Sequence, residues 1–460
     1  MLLAALGGAQ RSTPLDSITT YIESELARQH IPGVSVGILR GDSILVARGF
    51  GFSNVELQVP ASDSTVYQSG SLGKQFTAAG VAMLAQQGRL RLNDRITRWL
   101  PEGAGVWDSI TVRHLLTHTS GITEYTDSTF DYRKDYTEAQ LVRFAAARPL
   151  DFSPGTRWSY SNTGYLLLGV LVYRLTGRFY GDVLRDLVFA PAGMRTTRII
   201  SEADIVPNRA AGYQLVKGRL QNQEWVAPSL NTTADGSLYF TVNDLLKWAA
   251  ALNHRNVPGA AVLDLAWSPV RLNDGGLYPY GFGWDLTGQR RHTRIGHTGS
   301  WQGFKTALYR YPEFNLTVVV LANLAQAHPG AMAESIAGIL EPELRPPHML
   351  SAPLPGPKSA RPTGQVLKAI SSGNDTGEVT PALHRFLSLT ARRDLAQELG
   401  GITSWTELGC DDVSSRAVNW LGSRVVRVCY ARGADQQLNA VVSIFYTANG
   451  SAAHFDWEAY

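Results

Sequence analysis

The sequence predicts an α+β protein: an antiparallel sheet flanked by helices with a mostly helical lobe, followed by a small C-terminal α+β domain. Two observations predict the larger part. Strand patterns occur near residues 34–48 and again near 280–323, and the segment between them is mostly helical. A third observation predicts the smaller part, since alternating apolar residues reappear beyond a proline-rich segment. We therefore expect a sheet built from distant segments, with a cleft between it and the helical lobe.

The N-terminal stretch carries a helix signal followed by a hairpin signal. Thr13 can cap a helix that begins at Pro14, and apolar residues follow at helical spacing. Residues 34–39 and 43–48 flank a Gly-Asp turn, a pattern typical of a hairpin.

Adjacent antiparallel strands are predicted at 304–311 and 316–321, and a helix after Pro329 closes this part of the chain. We therefore predict one catalytic domain over residues 14–341. Residues 1–13 are small and apolar, which fits either the remnant of a signal peptide or a disordered start.

A linker and an accessory domain are predicted beyond that point. Seven prolines lie within residues 342–362, which indicates a semi-rigid linker. The remaining residues, 363–460, read as a small α+β domain with a helix that opens at Thr380 and Pro381. Its predicted strands lie near 402–409, 414–420, 424–431, 439–447 and 453–459.

Composition excludes several classes of function. The chain has 42 basic and 39 acidic residues, a net charge of +3 and no long basic run, so we expect no nucleic-acid partner. No apolar stretch reaches the roughly 18 residues of a membrane-spanning helix, so no transmembrane segment is predicted. We expect a secreted or periplasmic protein.

The chain contains two cysteines, Cys410 and Cys429, and neither has the spacing of a zinc or redox site. Both lie in or beside strand-like segments. A structural disulfide is one interpretation if the protein is exported, and two free buried thiols in a cytoplasmic protein are the other.

The first chemical motif is Ser71 followed three residues later by Lys74. A serine hydroxyl needs a neighbouring base to become a nucleophile. Apolar residues downstream predict a buried helix, so the two side chains lie one turn apart on the same side. Amide dipoles at the helix start favour negative charge on the serine oxygen and disfavour a protonated lysine. The spacing also occurs by chance, usually with the serine as a helix cap.

A second motif joins Tyr160, Ser161 and Asn162, between a Pro-Gly turn and an apolar helical run. A phenol beside a lysine can relay the proton of the serine, and an asparagine amide can bind a substrate carbonyl. Alternatively, Tyr160 is an aromatic residue at the edge of the core and Asn162 a helix cap.

The third motif comprises His297, Thr298 and Gly299, at the start of the predicted strands. A Thr-Gly pair on a strand leaves backbone groups free to bind an extended substrate. The backbone amide of Ser300 can join that of Ser71 in an oxyanion hole. His297 can hydrogen-bond the proton relay or a substrate carboxylate, or serve only a structural hydrogen bond.

Together the three motifs resemble those of the penicillin-recognising serine hydrolases, which include class C β-lactamases, D-Ala-D-Ala carboxypeptidases, D-aminopeptidases and related esterases. Segments 114–121, 236–239, 244–245 and 280–284 are also similar to that superfamily. The resemblance covers about residues 14–340 and implies a β-lactamase/transpeptidase-like fold.

The resemblance also implies a role for each matching residue. It makes Ser71 the acylated nucleophile, Lys74 its base or proton relay, and Tyr160 the general base and acid. It makes Asn162 a ligand of the substrate amide and His297 the third-motif residue.

One departure ranks the possible activities. Class C β-lactamases usually carry lysine at the position of His297, whereas several carboxypeptidases and D-peptidases carry histidine. An imidazole with its ordinary pKa of about 6.5 is mostly neutral at pH 7 and attracts a carboxylate less strongly. Peptidase or esterase activity therefore ranks above efficient β-lactamase activity. By the same resemblance, His114 and His118 are structural.

We therefore predict a serine hydrolase that works through an acyl-enzyme on Ser71 without a cofactor or metal. The favoured activity is that of a D-amino-acid-specific peptidase or amidase of carboxypeptidase type, or of an esterase. The alternatives are a class C-like β-lactamase and a penicillin-binding sensor that is acylated without turnover. The expected partner is a small-molecule or peptide substrate, and the oligomeric state is left open.

Overall fold

The computed structural model of the chain describes residues 13–125, 130–350, 352–354, 359, 361–387, 389–416, 418–434 and 439–459. The fold is α+β with antiparallel sheets, which confirms the predicted class. The predicted signal-peptide remnant lies outside the described residues except for Thr13.

The helices are α1 (Pro14–Gln29), α2 (Lys74–Gln86), α3 (Val112–Leu116), α4 (Glu138–Ala146), α5 (Asn162–Thr176), α6 (Tyr180–Leu184), α7 (Val242–His254), α8 (Ala260–Ala266), α9 (Pro329–Leu340), α10 (Thr363–Ser372), α11 (Pro381–Phe386) and α12 (Leu389–Leu399). The strands are β1 (Gly33–Arg40), β2 (Ser43–Asn54), β3 (Val59–Pro60), β4 (Tyr67–Gln68), β5 (Arg198–Ile199), β6 (Tyr213–Val216), β7 (Arg219–Asn222), β8 (Leu238–Phe240), β9 (Val270–Arg271), β10 (Leu277–Tyr278), β11 (Ile295–Trp301), β12 (Phe304–Tyr311), β13 (Leu316–Ala322), β14 (Trp405–Asp412), β15 (Asn419–Trp420), β16 (Ser423–Arg424), β17 (Arg427–Ala434), β18 (Asn439–Tyr446) and β19 (Ala452–Ala459).

Among the described residues, the central antiparallel sheet has the strand order β11-β12-β13-β1-β2-β3. Strand β1 lies between β13 and β2, with Val36 opposite both Val320 and Arg48. Its residues are buried as far as Leu39, as expected for a continuous apolar run covered on both faces. The sheet therefore joins the N-terminal hairpin to strands that lie almost 300 residues later, which leaves β11 as an edge strand beside the helical lobe.

Helices cover both faces of this sheet, because successive side chains of a strand point to opposite sides. Helices α1 and α9 pack on one face, where Ile22 and Ile336 share an apolar cluster with Val36. On the other face, Leu246 of α7 lies directly over Gly37. Helices α2 and α5 are almost fully buried within the helical lobe, so the site begins on rigid elements.

The C-terminal part forms a second antiparallel sheet with the order β14-β17-β18-β19. Cys410 of β14 and Cys429 of β17 are opposite each other in this sheet and are joined by a disulfide. Of the two interpretations of the cysteines, the structure has the bonded one.

The two parts meet at an interface that contains a buried ion pair. Arg290 Nε lies 2.6 Å from an oxygen of Asp411, and both side chains are less than 10% exposed. Tyr278 and Trp420 add an edge-to-face aromatic contact across the interface. Within the described ranges, none of the helices combines the length and apolar character that a membrane span requires.

Several elements differ from those the sequence predicts. Helices α4, α10 and α12 were not expected, and the strand predicted over 414–420 is limited to Asn419–Trp420 after a turn. At the start of the predicted linker, Leu344 is fully buried in the core beneath the sheet. The proline-rich segment therefore begins packed against the larger domain, while residues 351, 355–358 and 360 lie outside the described ranges.

Candidate active site

Ser71 lies in a short 3-10 turn, Gly70–Gly73, that continues directly into α2 at Lys74. Gly70 has a φ of +52°, a left-handed conformation that favours glycine. The serine is half-buried, whereas Lys74 is fully buried. The turn therefore presents the hydroxyl toward a cleft, and the helix holds the amine behind it.

Lys74 Nζ has three hydrogen-bond acceptors. It donates to Ser71 Oγ at 3.0 Å, to Asn162 Oδ1 at 2.8 Å and to the carbonyl oxygen of Asp235. These three acceptors use all the donors of an ammonium group. When the amine loses a proton, it can keep two of these bonds and direct its lone pair at the serine hydroxyl.

Tyr160 lies beside this pair without being bonded to it. Lys74 Nζ is 5.0 Å from the centre of the Tyr160 ring, and both Tyr160 and Ser71 line one cleft. The phenol oxygen is buried and has no hydrogen-bond partner among the described residues. The structure thus brings the alcohol, the amine and the phenol together, but only the first two are joined by a hydrogen bond.

Asn162 is the first residue of α5, with Ser161 as the helix cap. Its backbone N–H donates to Glu124 Oε2 at 2.7 Å, and the other oxygen of Glu124 accepts from the Thr163 N–H at 2.8 Å. The carboxylate thus caps the helix and fixes the second motif. Because the side-chain oxygen of Asn162 accepts a hydrogen bond from Lys74, its NH2 group remains available as a donor.

A chain of hydrogen bonds joins the second motif to the third. The Ser161 N–H donates to His118 Nδ1 at 3.0 Å, and the Tyr280 hydroxyl lies 3.1 Å from His118 Nε2 and 3.0 Å from His297 Nε2. Since Nδ1 of His118 accepts, its Nε2 carries the proton and donates to Tyr280. Tyr280 then donates to His297, whose Nδ1 donates to the Thr298 carbonyl at 2.5 Å.

His118 and His297, the two histidines joined by these hydrogen bonds, are neutral at pH 7. Burial lowers the pKa of His297 to about 4, and the nearby Lys74 ammonium lowers it further, against the raising effects of the Thr298 carbonyl and Asp285. Burial likewise holds the pKa of His118 well below its ordinary value. His297 therefore brings no positive charge to the site, and both of its ring nitrogens are already hydrogen-bonded. The ring of Tyr160 packs against that of His118, with 4.4 Å between the two ring centres.

The third motif lies on the edge strand β11, in close contact with the turn that carries Ser71. A β-carbon at Gly299 would lie 2.0 Å from the Ser69 carbonyl oxygen, and one at Gly70 would lie 2.3 Å from the Ser300 nitrogen. Only glycine permits this approach. The amides proposed for the oxyanion hole, those of Ser71 and Ser300, thus belong to segments in direct contact.

The cleft beside these residues has a volume of about 950 Å³. Ser71 and Tyr160 line it together with the β11 residues His297, Thr298, Gly299 and Ser300. Asp456 and Trp457 of β19 also line it, so the C-terminal sheet supplies part of the wall. No cluster of metal-ligating side chains lies among the residues that the structure describes.

Three residues that sequence reasoning did not assign support the site: Glu124, Asp235 and Tyr280. The sequence carries no motif for Glu124, whose role depends on a helix start 38 residues away. Asp235 acts through its backbone carbonyl, which any residue type provides. Tyr280 lies in segment 280–284, where the resemblance gave a signal but no role.

Comparison with known proteins relates the chain to one family. The family model described as Beta-lactamase matches residues 18–340. The chain is 31% identical over 315 residues to penicillin-binding protein 4* of Bacillus subtilis, and the match covers 65% of this chain and 69% of that protein. It is 28% identical over 336 residues to protein flp of Staphylococcus aureus, covering 69% of this chain and 65% of that protein.

Solved structures share the fold. The octameric penicillin-binding protein homologue from Pyrococcus abyssi matches with a TM-score of 0.64 and 20% identity, over 97% of this chain and 96% of that chain. That likeness shows the fold alone, and it extends through the C-terminal part. The D-amino acid amidase from Ochrobactrum anthropi SV3, solved with L-phenylalanine amide, matches with a TM-score of 0.60 and 25% identity, over 73% of this chain and 97% of that chain.

Proposed function

Because this chain belongs to the beta-lactamase family and is a serine hydrolase, we propose that it hydrolyses amides and short peptides of D-amino acids through an acyl-enzyme on Ser71. The observation that carries the proposal is the 3.0 Å contact between the buried Lys74 amine and the Ser71 hydroxyl at the wall of a large cleft.

In the first half of the proposed reaction, Ser71 Oγ attacks the carbonyl carbon of the substrate, and its proton passes to the neutral form of Lys74. The Lys74 amine stays oriented because Asn162 and the carbonyl of Asp235 still accept its hydrogen bonds. The amides of Ser71 and Ser300 stabilise the oxyanion, an effect worth roughly 100–1000-fold in rate for one donor.

The second half releases two products in turn. The bond between the carbonyl carbon and the leaving nitrogen breaks, and the Tyr160 phenol donates the proton that the amine takes away. Water then attacks the acyl carbon and gives a proton to the phenolate. The bond between the acyl carbon and Ser71 Oγ breaks as Lys74 returns its proton to Oγ, and the new acid leaves. The buried hydroxyl of Tyr160 has no hydrogen-bond partner among the residues that the structure describes, so it has spare hydrogen-bonding capacity for these transfers.

Two observations favour D-amino-acid amides over β-lactams. At the position where class C β-lactamases usually carry a lysine, this chain has His297, which is neutral and hydrogen-bonded at both ring nitrogens. The D-amino acid amidase is a structural neighbour at 25% identity. An esterase activity fits the same acyl-enzyme chemistry, and the competing functions are a class C-like β-lactamase and a penicillin-binding sensor.

A substrate panel tests this proposal. Steady-state kinetics on D-amino-acid amides, D-alanyl peptides, short acyl esters and β-lactams should give the highest kcat/KM for the D-amide or D-peptide group. Ser71→Ala should abolish turnover, and Tyr160→Phe should lower kcat by about 100–10,000-fold, the usual range for loss of a general acid–base group.

Matched L-amino-acid amides and labelling with a fluorescent penicillin complete the panel. Labelling without turnover of any substrate supports the sensor, and fastest turnover of a cephalosporin supports the β-lactamase. Turnover that survives Ser71→Ala contradicts the acyl-enzyme.

The proposal also places the protein outside the cytoplasm. The Cys410–Cys429 disulfide supports this, because such bonds persist mainly in oxidising compartments. Expression of the protein in its native host, followed by fractionation of the cells and the medium, tests the location.

A further inference from the structure

We propose that Lys305 binds a carboxylate of the substrate and that acidic D-amino-acid amides or peptides are therefore the preferred substrates of this site. This inference rests on the proposed function. Lys305 lies on β12 and lines the same cleft as Ser71. In the sheet it is opposite Ser300 of β11, so the two side chains stand on one face with their β-carbons about 5 Å apart.

The other basic side chains of this cleft's wall that could hold an anion are already engaged. Arg28 Nη2 lies 2.6 Å from Glu25, and Arg294 forms a close ion pair with Glu334. Lys305, by contrast, has no hydrogen bond or ion pair with any residue that the structure describes. The carboxylate of Asp456 also borders the cleft, where it accepts a hydrogen bond from the Trp457 backbone N–H.

The environment of Lys305 leaves its charge only partly solvated. The side chain is half-buried, and burial lowers its pKa from the ordinary value. A partly desolvated ammonium without a counter-ion gains more from an incoming carboxylate than a fully exposed one does. His297, for which the sequence suggested a contact with a substrate carboxylate, is neutral, and both of its ring nitrogens are hydrogen-bonded. The positive charge that the third motif lacks is therefore supplied by the neighbouring strand.

Two matched substrate pairs test the assignment and locate the carboxylate. In the first pair the acyl part differs: N-succinyl-D-alanine p-nitroanilide against its neutral N-butanoyl analogue. In the second the leaving part differs: N-acetyl-D-alanyl-D-alanine against its C-terminal amide. Lys305→Met should lower kcat/KM for the acidic member of one pair by roughly 10- to 100-fold, the usual effect of losing a hydrogen bond to a charged group.

The neutral member of that pair should be nearly unaffected, and Lys305→Arg should retain the preference for acid. Lys368→Met, at an exposed position on α10, is the matched control and should change neither substrate. Equal losses on both members of each pair, or no loss on either, would overturn the proposal.

The proposed function can fail separately. If the wild-type protein turns over none of the four compounds, they are not its substrates and the proposed function fails for them. Calorimetry then measures the affinities of the same compounds for wild type and for Lys305→Met. The proposed role of Lys305 requires that wild type binds the acidic member of one pair more tightly than the neutral member, and that Lys305→Met loses this difference.

Discussion

His297 distinguishes this site from sites that carry a lysine at the same position of the third motif. It lies in a line of neutral donors and acceptors that begins at the Ser161 amide and ends at the Thr298 carbonyl. A second positive charge at this position would repel the Lys74 ammonium. The neutral ring thus fixes the geometry between the second and third motifs without competing with the lysine for a proton.

This burial predicts how stability depends on pH. The folded pKa of His297 is about 4, below the ordinary value of about 6.5 expected in the unfolded chain. Between these values the unfolded chain binds more protons, so the free energy of unfolding should fall as pH falls from about 6.5 toward 4. One such group contributes up to about 1.4 kcal/mol per pH unit. Urea unfolding at stepped pH should show a shallower slope for His297→Gln than for wild type.

His30→Asn is the control for that experiment, since His30 is exposed and its left-handed backbone suits asparagine. It should keep the wild-type slope. An unchanged slope in His297→Gln would mean that this ring is protonated as readily in the folded protein as in the unfolded chain.

At the scale of elements, the site depends on how closely β11 approaches the turn Gly70–Gly73, which carries Ser71. We expect Gly299→Ala to lower kcat/KM strongly, because the new methyl group would lie 2.0 Å from the Ser69 carbonyl oxygen and 2.4 Å from Thr306 Oγ1. The strand must then move away, and a displacement of about 1 Å can cost roughly 100-fold in rate.

Gly164→Ala in α5 provides the comparison, because its nearest neighbour would be 3.4 Å away and alanine favours a helix. Kinetics of both variants against the best panel substrate check the prediction. Similar activity in Gly299→Ala and wild type would show that the contact is not needed.

The elements that carry the motifs were predictable from local patterns. Thr13 and Pro14 begin α1, and the hairpins β1–β2 and β12–β13 form where the sequence predicts adjacent strands. The spacing of Ser71 and Lys74 sufficed for their contact because both lie on one helical turn. Patterns of this kind are local, so one sequence contains them.

The supporting contacts were not predictable, because they join residues that are far apart in the sequence. Glu124 caps α5 from a loop without a motif, and Asp235 acts through its main chain. Helix α12 is not apparent in the sequence because charged and polar residues dominate it and few apolar residues mark a buried face. The wall formed by Asp456 and Trp457 depends on how two sheets are arranged, which no spacing reveals.

At the scale of the whole molecule, the buried Arg290–Asp411 pair couples the catalytic part to the C-terminal sheet. Asp411→Asn should lower the free energy of unfolding by about 3–5 kcal/mol, because it leaves a buried guanidinium without its counter-ion. Urea unfolding, followed by the fluorescence of Trp420 and its neighbours, measures this change.

The adjacent ion pair of Arg291 and Glu343 supplies the control. Both side chains are more than half exposed, so Glu343→Gln should change stability by less than about 1 kcal/mol. Equal effects of the two substitutions would show that burial adds nothing at this interface.

The pairing of β1 with β13 has a consequence during synthesis. Val34 lies opposite Ala322 in the finished sheet, so one side of an apolar strand waits for a partner that the ribosome has yet to make. At about 5–20 residues per second the delay is on the order of tens of seconds. The nascent chain therefore carries an unpaired apolar strand edge for that interval, and its yield should depend on how that edge is shielded during synthesis more than on the stability of the mature fold.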